Sequence, residues 1–264
     1  MARRDAQATL TALLVLMGSW LGFPSALAQE SRPRVIPETV RMGAFYGGAA
    51  VRVEGVSRSG ENVIILVRGA KVKEVFNKVG RVGPIWVTTG KVTISDVPSL
   101  LLVFSPEPVG TCLTRAAIDK YGLDLPALKK QMHVESKTGD YDRIADDYFV
   151  YKIKRGTYQM DNRGIQQGQP DKNGTPYRLD FTLPKSAGPG QYEIKVLECR
   201  SHEVVRNSDL SFKVVEVGFP ALIAWLAMEH SSAYGIIAVA VAMIAGFGID
   251  FIAARLFKRK VVGH

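Results

Sequence analysis

The stretch NVIILVRG, Asn62 to Gly69, places five apolar residues in succession, four of them β-branched, between an asparagine and an arginine–glycine stop. A strand with one wet face alternates apolar and polar residues, and this run does not alternate. It is also too short for an ordinary buried helix. It therefore reads as a β-strand buried on both faces. A second run of the same kind, SLLLVFSP, spans Ser99 to Pro106. Two such runs call for a β-rich core with more than one layer.

The flanking segments agree. In AVRVEGV, Val51 and Val53 alternate with Arg52 and Glu54. PIWVTTGKVTISDVP, from Pro84, predicts two strands joined by a Thr89-Gly90 turn, with Trp86 as a core residue on a central strand. From Thr111 to Gln159 the pattern becomes helical, with expected helices at Thr114–Tyr121, at Pro126–His133 and around Tyr141, Ile144, Ala145 and Tyr148. Alternation returns at Tyr177, Leu179, Phe181 and Leu183. GPGQYEIKVLEC then carries the Pro-Gly-x-Tyr lead-in of late strands in immunoglobulin-like sandwiches, where a tyrosine bonds back across the corner. The expected fold is mainly β: an immunoglobulin-like β-sandwich ectodomain over residues 29–218, with a helical insertion at about 111–159.

The two ends of the chain bear on location. Arg3 and Arg4 precede an apolar stretch, Leu10 to Phe23, and Ala26-Leu27-Ala28 has the small-x-small form of a cleavage site. Residues 1–28 thus read as a secretory signal peptide. Residues 219–232 form a juxtamembrane segment, apolar from Phe219 to Met228 and containing Trp225, expected at the membrane interface. No charged residue occurs from Ser231 to Ile249, a length of roughly 28 Å as a helix, close to the hydrocarbon thickness of a bilayer. The transmembrane helix is placed at 233–254 and a basic cytoplasmic tail at 255–264, with Arg255, Lys258, Arg259 and Lys260. The positive-inside rule then makes the protein single-pass in the inner membrane, with its N-terminal domain periplasmic and its C-terminus cytoplasmic.

The chain is basic, with 34 Lys plus Arg against 25 Asp plus Glu, but the charge is dispersed. Without a basic stripe and interleaved aromatics, nucleic acid is not an expected partner. The lipid bilayer is. His133, His202, His230 and His264 show no metal-ligand spacing. Asp140, Asp142, Asp146 and Asp147 lack the turn glycine and terminal glutamate of a calcium loop and read as the acidic start of a helix. No nucleophile motif or phosphate loop occurs, so neither an enzyme nor a cofactor is expected. Cys112 and Cys199 lie in the exported part, where an even count permits a disulfide.

One acid stands near the end of the apolar segment. Counting back in fours from Asp250 gives Gly246, Ala242 and Ala238, a ridge of small residues ending on a carboxylate. Such a ridge suits close approach of a second membrane helix. It equally suits a lipid-facing wall with the acid at the inner interface.

FYGGAAVRVEG, NVIILVRGA, RVGPIWV, DVPSLLLVFSP and the segment GFPALIAWL to FKRK together resemble the alpha-proteobacterial transmembrane protein family Alph-Pro-TM. The chain departs from that pattern at Phe247-Gly248-Ile249, where a tryptophan commonly follows the glycines. The resemblance implies no catalytic residue set. It implies an accessory role beside a polytopic inner-membrane transporter, of the sulfite or organosulfonate exporter type. The alternative expectation is a membrane-tethered periplasmic ligand-binding protein.

Overall fold

The computed structural model describes residues 32–137 and 139–257. The expected leader and the residues from Lys258 onward lie outside them. NVIILVR forms β4 (Asn62–Arg68), and its two faces enter two different cores. Val63, Ile65 and Val67 face one, Ile64 and Leu66 the other, and none of the five is reached by solvent. β7 (Leu101–Phe104) repeats the arrangement, with Leu102 and Phe104 on the first side and Leu101 and Val103 on the second. The continuous apolar runs therefore form the middle layer of a three-layer stack.

That layer is a six-stranded sheet of order β2 (Thr39–Met42), β13 (Glu203–Glu216), β12 (Gly190–Arg200), β4, β7 and β9 (Tyr158–Asp161). β13 with β2 and β7 with β9 pair in parallel; the other pairs are antiparallel. A four-stranded sheet covers its first face, in the order β1 (Arg34–Ile36), β3 (Ala49–Ser57), β11 (Thr175–Leu183) and β10 (Ile165–Gln167). β11 shows the predicted alternation at every position, with Tyr177, Leu179, Phe181 and Leu183 inward. Tyr192 donates its hydroxyl to the Gly188 carbonyl at 2.7 Å, the expected corner bond.

The insertion covers the second face. It consists of α1 (Val109–Cys112), α2 (Arg115–Tyr121), α3 (Leu125–Gln131) and α4 (Tyr141–Lys154). Thr114 caps α2 through the Ala117 N–H, and Asp124 caps α3 through the Ala127 N–H at 2.8 Å. The helix expected to reach His133 ends at Gln131, and His133 opens a strand, β8 (His133–Ser136). β8 pairs with the long hairpin β5 (Lys71–Val82) and β6 (Ile85–Pro98). This third sheet corrects two expectations. The turn lies at Gly83-Pro84, where Gly83 takes φ 62, and not at Thr89-Gly90. Gly90 sits inside β6 opposite Lys78, where the register shifts; an interior glycine accommodates that irregularity. Trp86 is not in the core, being 71% exposed near the hairpin tip.

After β13 come α5 (Phe219–Glu229) and α6 (Ser231–Phe257). A break at His230 separates them, and the His230 ring meets Trp225 edge-on at 4.5 Å.

Candidate functional site

A cleft of about 460 Å³ opens between the β5–β6 hairpin and α4. The sequence patterns of both walls produce it. β5 turns Phe76 toward α4, while the helical repeat of α4 brings Ile144, Tyr148 and Tyr151 to the same side. Phe76 meets the Tyr148 ring edge-on at 6.0 Å and the Tyr151 ring at 5.6 Å. Val92 and Ile94 complete an apolar lining, and Lys78, Arg143, Asp140 and Asp147 also border it.

A buried ion pair adjoins the cleft at Tyr148. Lys152 is only 4% exposed, and its Nζ donates to Glu74 Oε1 at 3.0 Å. The same ammonium lies 5.5 Å from the Tyr148 ring centroid and 5.3 Å from that of Tyr158, where it meets the negative faces of both rings. The Tyr158 hydroxyl donates to the Pro98 carbonyl at 2.7 Å. Burial pushes both tyrosine hydroxyls far above their ordinary range, so they stay protonated. The charges are thus committed to each other, and the cleft is an apolar, aromatic site with ionic groups at its border.

A second polar cluster lies where β4 begins and β12 ends. Glu198 takes an inward position of β12 that alternation reserves for an apolar residue, next to a register shift between Glu198 and Cys199. Its side chain is 3% exposed, and that of Glu61, in the turn before β4, is 2%. Desolvation and the Glu61 carboxyl raise the Glu198 pKa to about 7, and Arg206, 3.9 Å away, opposes the rise. Arg200 reaches Glu61 at 3.3 Å. Beside this pair are the two cysteines. Both are buried thiols in the second core. Burial lifts Cys199 to about 12 and Cys112 in the same direction, which leaves both unreactive at neutral pH. Neither the cleft nor the carboxyl pair was named from sequence. The only signal for the pair was an acid in the inward register of β12, beside the cysteine of VLEC.

The membrane-helix candidates Ala238, Ala242, Gly246 and Asp250 all lie on α6, at exposed positions. A side chain added at Gly246 would meet nothing within 4 Å. Among the described residues, α6 is the one helix long and apolar enough to cross a membrane, from Ser231 to Arg255. α5 is equally apolar but too short. No group of three or more His, Cys, Asp or Glu able to hold a metal occurs among the described residues.

The family model described as "Putative transmembrane protein (Alph_Pro_TM)" matches residues 33–255, from β1 to the end of the apolar helix. The chain belongs to that family. As an Alph_Pro_TM protein it pairs a β-rich domain with one candidate membrane helix at its C-terminal side. No curated protein and no solved structure matches the chain.

Proposed function

We propose that this Alph_Pro_TM protein is a non-enzymatic accessory or assembly subunit of an inner-membrane complex. The family resemblance suggests a polytopic exporter of small anions, of the sulfite or organosulfonate type. In this reading the leader is removed on export, the β-rich domain stands in the periplasm and the basic tail in the cytoplasm. The observation that carries it is the exposed ridge of α6, where Ala238, Ala242 and Gly246 leave room for a second backbone and Asp250 offers a polar contact. A mild-detergent pull-down of the tagged full chain tests it, beside the triple variant Ala242→Leu, Gly246→Leu, Asp250→Leu. A multi-span protein recovered with the wild type and lost with the variant is expected. Recovery of the bait alone from both would refute the docking role.

The cleft favours a second reading, a tethered ligand-binding protein. Its volume and its lining by Phe76, Tyr148 and Tyr151 suit a small molecule with an apolar or aromatic body. Thermal stabilisation of the purified full chain by small sulfonates or aromatic carboxylates, abolished by filling the cleft with Ile144→Trp, would support it. Equal shifts in the filled variant would count against it.

A further inference from the structure

The β5–β6 hairpin has a base and a tip of different character. At the base, Val92, Ile94 and Val97 enter the second core. Away from the base the large apolar residues leave it: Val75, Val79, Val82 and Ile85 are 58–59% exposed and Trp86, near the tip, is 71% exposed. The pairing shows how they are arranged. Val82 stands opposite Ile85, and Gly80 opposite Val87; Arg81 stands opposite Trp86, and Val79 opposite Thr88. Cross-strand partners share a face and successive residues alternate. Val82, Ile85 and Val87 therefore occupy one face of the tip, and Val79 and Trp86 the other.

A surface made to dock on a protein or a second copy presents one apolar face. A ribbon that is apolar on both faces suits a medium that surrounds it. Charge points the same way: from Val75 to Ser95 the hairpin contains Lys78, Arg81 and Lys91 and no acid. Tryptophan beside arginine is the composition of a membrane–water interface, where the ring sits at headgroup level and the guanidinium reaches phosphate. The chain also carries its own candidate membrane span, so the hairpin works in the neighbourhood of a bilayer.

We propose that the tip formed by Val79, Val82, Ile85 and Trp86 inserts into the anionic headgroup region of the bilayer in which the chain is anchored, with Arg81 and Lys91 pairing with lipid phosphates. The domain then has a second membrane contact besides α6. This inference needs the anchor alone and no partner protein, so it stands or fails separately from the accessory-subunit reading.

The test uses the full chain with Trp20→Phe and Trp225→Phe, which leaves Trp86 as the only tryptophan. It is reconstituted in nanodiscs of phosphatidylcholine, alone or mixed equally with phosphatidylglycerol, with brominated phosphatidylcholine as quencher. In the anionic discs Trp86 emission is expected to shift to the blue and to be quenched by bromine. Arg81→Glu with Lys91→Glu should return it to solvent, each reversal weakening partition roughly fivefold or more. Both sites lie outside the core, and an unchanged melting temperature confirms folding. Solvent-like emission unaffected by brominated lipid would overturn the proposal. A blue shift without bromine quenching that weakens on dilution would assign the tip to a second copy instead. Equal quenching in phosphatidylcholine alone would overturn the anionic assignment.

Discussion

Replacing Glu198 by glutamine should stabilise the protein at neutral and alkaline pH. The Glu198 carboxyl is 3% exposed, and its folded pKa of about 7 stands above the ordinary 4.5 because burial and Glu61 both disfavour its charge. A folded pKa raised in this way means that the native state holds the proton more tightly than the unfolded chain. The native state is therefore favoured most below pH 4.5, loses stability as pH rises to about 7, and levels off above. At 1.36 kcal/mol per unit the shift corresponds to roughly 3 kcal/mol. Groups facing the carboxyl are Glu61 from the turn before β4, Arg206 from β13, and Tyr177 from β11, which senses the Glu198 charge. Asp119, which Lys130 and Arg115 hold below its ordinary value, titrates under this window. Glutamine keeps the shape and removes the titrating charge. The full chain in detergent, unfolded by denaturant between pH 4.5 and 8 and followed by near-ultraviolet dichroism, should show wild-type stability falling by about 2–3 kcal/mol across the range. Glu198→Gln should flatten that slope and gain a similar amount at pH 8. Wild-type stability that rises from pH 5 to 7.5, or a glutamine variant weaker than wild type at pH 8, would refute this account of the buried carboxyl.

Lys152→Ala should cost about 3–5 kcal/mol by leaving Glu74 half-buried without its cation, and Lys152→Met with Glu74→Leu should recover most of it in the same denaturant assay. Tyr192→Phe removes the bond to Gly188 while keeping the stack on Phe212, so a loss of about 1 kcal/mol is expected. Cys112 and Cys199 should resist a maleimide in the folded protein and take two labels once denatured without reductant, as mass spectrometry would count them. Denatured protein that takes none carries the bridge that the cysteine count permits.

The β-rich architecture was legible because burial on two faces leaves a mark that composition cannot hide. NVIILV and LLLVF have no polar register, so each must separate two cores. The alternation of β11 and the Pro-Gly-x-Tyr corner were equally direct, since both are local. What failed was the hairpin. Thr89-Gly90 is as good a turn locally as Gly83-Pro84, and the choice is made by register against β5 and β8, which a single stretch does not contain. Trp86 reads as a core residue because most tryptophans are, and it is exposed. The cleft was illegible for a similar reason: Phe76 and Tyr151 are 75 positions apart in the chain and meet only because the insertion packs back on the hairpin.

The residues that break local rules are the informative ones. Glu198 stands where β12 expects an apolar side chain, and Trp86 stands at a tip where a hairpin expects polar ones. Asp250 stands within a helix otherwise suited to lipid. A fold gains nothing from these placements: a valine at 198, a threonine at 86 and a leucine at 250 would serve packing, solubility and insertion better. The three exceptions lie in three separate elements, β12, β6 and α6, while the two cores have apolar residues almost throughout. Each departure subtracts from stability, and functional sites are where folds tolerate such departures. The three do not share a setting: Glu198 is buried, and Trp86 and Asp250 are exposed on separate elements.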